Sequence, residues 1–126
     1  ETAWFWLSCN FWDAQGNRIG LNLASGVNES FGNENCLWFN GQLFAVEDVL
    51  FEKLDNDEWS IHSLDQKLKL TVNTAWRRFE NLNLRLVGSQ FSQWQSKISG
   101  TIETESGEII HLNQEYGLLE QHYAKW

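Results

Sequence analysis

The chain has 126 residues, 42% hydrophobic and 21% charged, with 17 acidic against 9 basic side chains and a formal net charge of −8. Length and composition suit one ordered domain. The acidic balance argues against nucleic acid as a partner, since phosphate binding needs clustered Lys and Arg, and the one adjacent basic pair is Arg77-Arg78. No apolar run approaches the roughly eighteen residues of a membrane span.

Ala3 to Trp12 reads as a β-strand with aromatic residues on both faces. Side chains alternate along a strand, so Trp4, Trp6 and Trp12 look one way and Phe5, Leu7, Cys9 and Phe11 the other. A half-wet antiparallel strand carries polar residues at every second position; neither face here does. One face is expected to line the domain's own interior. The other, marked by Trp4, Trp6 and Trp12, is expected to meet a partner, most simply a preceding domain of the same chain.

Pro is absent, so Gly, Asn and Asp mark the turns. After a turn over 13–17, Arg18 to Ala24 alternates with Ile19, Leu21 and Leu23 on one face. Gly20, Asn22 and Ala24 lie opposite, a row of small or polar groups that leaves room for something large. Glu34 to Phe39 predicts a strand closed by Asn40-Gly41, a hairpin pair because both residues accept positive φ. Gln42 to Phe51 predicts the return strand, with a bulge or bend at Glu47-Asp48. Trp59 and Ile61 predict a short strand. Lys67 to Val72 predicts another, with Leu68, Leu70 and Val72 facing inward, and 73–80 connects it to the next. Asn81 to Val87 puts Leu82, Leu84 and Leu86 inward. Phe91 to Thr104 predicts a strand with a bulge near Gln95-Ser96, and Ser106-Gly107 a hairpin turn before Glu108 to Asn113. The tail from Tyr116 fits either a strand, with Glu120, His122, Ala124 and Trp126 on one face, or a helix with a Leu119, Tyr123 and Trp126 stripe; an extended segment is preferred.

Regular alternation without sustained helical periodicity predicts an all-β antiparallel meander of about eight to ten strands. Barrel closure is preferred over a β-sandwich because it removes the exposed edges of so apolar a sheet. One domain fills residues 1–126. Cys9 and Cys36 are expected as reduced thiols, with a single cross-strand bridge as the alternative; their spacing fits no zinc motif.

No nucleophile elbow, phosphate loop or dinucleotide fingerprint occurs. His62, His111 and His122 are far apart in sequence, and neither a metal nor a cofactor is expected. What remains are polar groups inside apolar runs: Asn22, Glu34, Asn35, Glu120 and His122. Burying a carboxylate costs several kcal/mol unless it is paired, so these residues need partners. A carboxylate facing an apolar cavity acts as a general acid, which makes Glu34 and Glu120, with His122 beside the latter, the catalytic candidates. The ordinary alternative is structural, with each Glu capping a turn or meeting an Arg and each Asn satisfying a bulge.

Arg18-Ile-Gly-Leu-Asn-Leu-Ala, Glu34-Asn-Cys-Leu-Trp-Phe-Asn-Gly, Trp59-Ser-Ile and Gly117-Leu-Leu-Glu-Gln-His-Tyr-Ala-Lys-Trp126 together resemble the C-terminal half of an uncharacterised bacterial family of domains of unknown function. That family is in turn similar to the twin lipocalin-like barrel proteins, which include carotenoid hydratases and the tocopherol cyclase group. The resemblance spans nearly the whole chain. It implies a lipocalin-like barrel, the second of two packed domains, and a pattern comprising Asn22, Glu34, Asn35, Trp38, Glu120, His122 and Trp126. Those seven are the expected ligand-binding residues.

The leading expectation is a domain that binds an apolar or amphipathic small molecule of lipid or isoprenoid type together with an N-terminal partner domain. It foresees a cavity of a few hundred Å³ lined by aromatics. A hydratase- or cyclase-like enzyme half using a Glu acid is the second expectation. A domain-docking module that dimerises when isolated is the third. A carbohydrate-binding module, favoured by an aromatic platform outside the barrel, is the fourth. The visible N-terminus lacks the pattern of a signal peptide, which leads to a cytoplasmic expectation.

Overall fold

The structure, a computed structural model, describes residues 2–26, 35–55, 57–77 and 89–124. Nine antiparallel strands form a curled half-barrel, and no helix occurs among the described residues. They are β1 (Thr2–Trp12), β2 (Arg18–Gly26), β3 (Cys36–Phe39), β4 (Gln42–Ala45), β5 (Val49–Lys53), β6 (Glu58–Ser63), β7 (Leu68–Arg77), β8 (Ser89–Glu103) and β9 (Ile109–Ala124). Their order across the sheet is β4-β3-β2-β1-β9-β8-β7-β6-β5. Two local meanders, β1–β4 and β5–β9, therefore meet along a β1·β9 seam, where Trp4 lies opposite His122 and Leu7 opposite Leu119.

The turns follow the residue chemistry. Asn40 and Gly41 both take positive φ, 50° and 87°, between the paired Phe39 and Gln42. Asp13 holds its own turn: its carboxylate accepts from the amides of Gln15 and Asn17 and from the Asn17 side chain. The Asn17 side-chain bond is the main reason that the Asp13 carboxyl lies below the usual range. Asp65 is held down in the same way, first by the Ser63 hydroxyl at 2.6 Å and then by the Lys67 amide.

Three details differ from the sequence expectation. Glu47-Asp48 does not bend one return strand; with Val46 it separates β4 from β5, the two opposite edges of the sheet. β7 runs on through Arg77, past Val72 where the strand was expected to end. The irregularity expected at Gln95-Ser96 falls opposite that stretch, but the extra residues are on β7, between Asn73 and Arg77. A second irregularity falls between Ile98 and Gly100; there β9 carries the additional residue, and Gln114 at φ 51° donates its amide to the Ser99 hydroxyl. The predicted strand at Asn81 to Val87 lies outside the described residues. The tail is a strand as far as Ala124.

The inside of the curl is filled by one cluster that includes Leu7, Leu21, Leu23, Leu37, Ile61, Val72, Ile98 and Leu119, none more than 2% exposed. Strands that are not neighbours meet here: Phe5 of β1 stacks on Phe51 of β5 and tilts against Trp59 of β6, with centroids 5.5 and 5.4 Å apart. These contacts, more than any ladder, hold the curl shut. The edge strands β4 and β5 are not hydrogen-bonded to each other, so the half-barrel keeps two edges.

Cys9 faces this core and Cys36 the opposite side, since Cys9 pairs with Leu21 while Cys36 pairs with Asn22. A bridge between them is sterically excluded, and neither is part of a disulfide. The Cys9 thiol donates to the Tyr116 carbonyl at 3.3 Å. Burial, helped by the charge of Glu115, pushes its pKa from 9.0 up to about 12. Because the folded value is the higher one, the unfolded chain loses the proton first. Cys9 therefore withdraws stability as pH rises above 9, by about 1.4 kcal/mol per pH unit until its native value is reached. In native buffer at neutral pH a thiol reagent should leave Cys9 unmodified and label it only with denaturant, as read by intact mass.

Candidate functional site

The two faces of β1 are put to different uses. Leu7 and Cys9 are buried, and Phe5 and Phe11 pack against the cluster. Trp4, Trp6 and Trp12 lie on the outside of the half-barrel. The register carries that face onto β9 as His122, Glu120 and Leu118, onto β8 as Gln93 and Gln95, onto β2 as Asn22 and Gly20, and onto β3 as Cys36 and Trp38. Four of the eight tryptophans thus share one outer face. Trp59 and Trp94 turn inward, tilted against each other at 6.3 Å.

One end of this face is a connected assembly. His122 Nε2 lies 2.9 Å from Glu120 Oε1, and the Gln93 amide donates to Glu120 Oε2 at 2.9 Å. The imidazole stacks on the Trp4 indole, centroids 5.2 Å apart and planes 7° from parallel. Glu120 is 9% exposed although it points away from the core. Its burial is bearable because both oxygens have side-chain partners. Beside it, Trp6 Nε1 donates to Asn22 Oδ1 at 2.6 Å. This follows from register: Trp6 pairs with both Glu120 and Ala24, one step from Asn22.

The row of small groups on β2 is filled by tryptophans from its neighbours. A Cβ at Gly20 would meet the Trp38 ring at 3.6 Å and Asn10 Oδ1 at 2.9 Å, and one at Gly26 would meet Trp4 Cβ at 3.0 Å. The large occupant for which the sequence left room is, in part, this chain's own indoles. Even so, Trp4 is 39% exposed, Trp38 40% and Trp12 66%, the last held under the Arg18 guanidinium.

Of the seven expected ligand residues, Asn22, Trp38, Glu120 and His122 share the outer face with the expected interface residues Trp4, Trp6 and Trp12. Asn35 does different work: its buried carboxamide accepts from the Ala24 amide at 2.6 Å, just where the β2·β3 ladder stops. Glu34 and Trp126 lie outside the described residues. Gln93 and Asn10 were not singled out from the sequence. The signal for Gln93 was its alternation with the inward Trp94; assigning it to Glu120 required the β8·β9 register.

At one end of the half-barrel, β4, the 63–68 turn and the end of β8 surround a cleft of about 310 Å³. Its floor includes Leu37, Phe44, Leu68 and Ile102, and Glu47, Asp65, Glu103 and Glu105 stand around it with Lys67. Among the described residues Phe44 is its single aromatic, and none of Asn22, Asn35, Trp38, Glu120 and His122 lines it.

Removing the carboxylate tests the assembly. Glu120→Leu leaves the Gln93 donor and the imidazole without their acceptor and should cost about 1–3 kcal/mol in urea unfolding. Glu120→Gln, which keeps an acceptor oxygen, should cost less than half as much.

No helix among the described residues is long and apolar enough to cross a membrane. No curated protein and no solved structure matches the chain. The family model described as "Domain of unknown function (DUF2804)" matches residues 1–126, and the chain belongs to that family.

Proposed function

We propose that this domain is a binding module whose working surface is the outer tryptophan face, and that its ligand is amphipathic. The supporting observation is the Trp4–His122–Glu120–Gln93 assembly. A carboxylate is costly to shelter, and this one is sheltered on a side of the sheet where it contributes nothing to the core. What it does there is fix His122, and through the ring stack, Trp4. Rigid, half-exposed aromatic groups beside a few fixed polar groups are what a site for a part-apolar ligand requires. The inside of the curl, in contrast, is filled by aliphatic and aromatic side chains packed on one another, and among the described residues the end cleft has Phe44 alone where a lipid or isoprenoid pocket was expected to be lined by aromatics.

A partner domain packed on the same face is a second reading, favoured by Trp12: an indole 66% exposed at the far end of the strand is the kind of apolar projection that interfaces recruit. The enzyme reading assigns Glu120 as the acid. It is less well supported, since both carboxylate oxygens already have protein partners.

The test is NMR screening of the full chain with a library of small amphipathic fragments, read at the tryptophan indole N–H and the backbone amide signals. Hits should move the Trp4, Trp6 and Trp38 signals and leave Trp59 in place. Hits confined to Phe44 and Leu68 of the end cleft, or no hits, would overturn the proposal.

A further inference from the structure

The outer face carries more than one aromatic station. Trp38 and Trp4 lie on opposite sides of β2, beside Gly20 and Gly26 respectively. Six residues of strand and the width of two strand spacings put them roughly 20 Å apart. Each is fixed by a different device: Trp4 by the His122 stack, Trp38 by lying over Gly20, Trp12 by the Arg18 cation. The ground between the stations is mixed: half-buried Trp6, its N–H given to Asn22, is followed by Ser8 and Asn22 paired across the β1·β2 ladder and by Asn10 exposed beside Gly20.

We infer that this face binds a neutral oligosaccharide lying across β2 between the two stations; the inference rests on the proposed working surface and names its ligand. A pyranose ring has an apolar face of C–H groups and a rim of hydroxyls. It matches an indole platform ringed by amide and hydroxyl groups, and a chain of such rings repeats that match at intervals. A lipid tail needs continuous apolar ground and is poorly served by Ser8, Asn10 and Asn22. A protein partner would be expected to meet a patch whose centre is apolar and whose rim is polar, whereas here Ser8, Asn10 and Asn22 stand among the indoles in the middle of the face. The net charge of −8 disfavours acidic saccharides. The separation of the stations exceeds one sugar ring, so affinity must grow with chain length.

The experiment titrates the full chain with cellohexaose, maltohexaose, xylohexaose and mannohexaose, and with the matching disaccharides, by indole NMR and calorimetry. At least one hexasaccharide should shift the Trp4 and Trp38 signals and bind about tenfold or more tightly than its disaccharide. Trp4→Ala and Trp38→Ala should each weaken it by about tenfold, while Trp4→Phe, which keeps a platform, recovers most of the loss. All variants should retain the near-ultraviolet dichroism of the inward tryptophans. The inference is overturned if no hexasaccharide shifts these signals at about 10 mM, far above useful affinities, or if the two alanine variants bind as the parent does. If amphipathic fragments still report on the same indoles in that case, the working surface stands and only the ligand class falls.

Discussion

Trp59→Ala should lower the unfolding free energy by about 3–5 kcal/mol, enough to leave a domain of this size barely folded. The size of the effect comes from position as much as area. Trp59 is buried on β6, yet it touches Phe5 of β1 and Trp94 of β8, so the same ring joins strands that share no ladder with one another or with β6. Deleting it opens a cavity at the place where the curl is held. Urea unfolding should show a lower midpoint, and a double-mutant cycle with Phe5→Ala should give a coupling of about 0.5–1.5 kcal/mol. Trp12→Ala, an equally large deletion on the outer face, should stay within about 0.5 kcal/mol. Equal costs at the two positions would mean that the inner aromatic cluster does not hold the half-barrel.

Gly100→Ala is expected to be nearly as damaging, about 3 kcal/mol or more, for a backbone reason. Gly100 has φ 142°, outside the range of L side chains, and a Cβ there would run into the Lys69 carbonyl oxygen and stand 2.9 Å from the Leu70 Cα. Both obstacles are main chain of the paired β7, so no rotamer change relieves them. Gly107→Ala is the control: its φ of 85° is also unfavourable for alanine, but nothing lies within 4 Å of the added carbon. It should cost only about 1–2 kcal/mol. The difference between the two isolates the close approach of β7 to β8 at Gly100, the residue at which the β8·β9 ladder shifts register.

Faces were legible in the sequence and neighbours were not. Period-two alternation assigned Leu7, Leu68, Leu70 and Val72 to the inside and grouped Ile19, Leu21 and Leu23 on one face, as the structure has them, because side-chain direction is a local property of an extended chain. The Asn40-Gly41 turn was legible for the same reason. Alternation says nothing about which strand lies alongside. That the first strand pairs with the last is a tertiary fact, and it is what places Trp4 on His122 and Gln93 on Glu120. The residues expected at an interface and those expected to hold a ligand were therefore reached separately, although the register puts most of them on one surface. Asn35 shows the converse. Its polarity in an apolar run was a real signal, but the demand it met was a lone Ala24 amide past the end of a ladder. Glu47-Asp48 was read as a local distortion because the chain continues with apolar residues on either side; only the sheet order reveals that it links two edges.

The β1·β9 seam has a consequence for how the molecule assembles. Each meander can zip from short hairpins as its residues become available, but the central ladder of the sheet joins β1 to β9, more than a hundred residues apart at Trp4 and His122. On the ribosome, the inward aromatics of β1 must wait, uncovered on their seam side, until β9 has been synthesised. Chaperone dependence during synthesis, and a slow final phase on refolding, should both trace to that long wait.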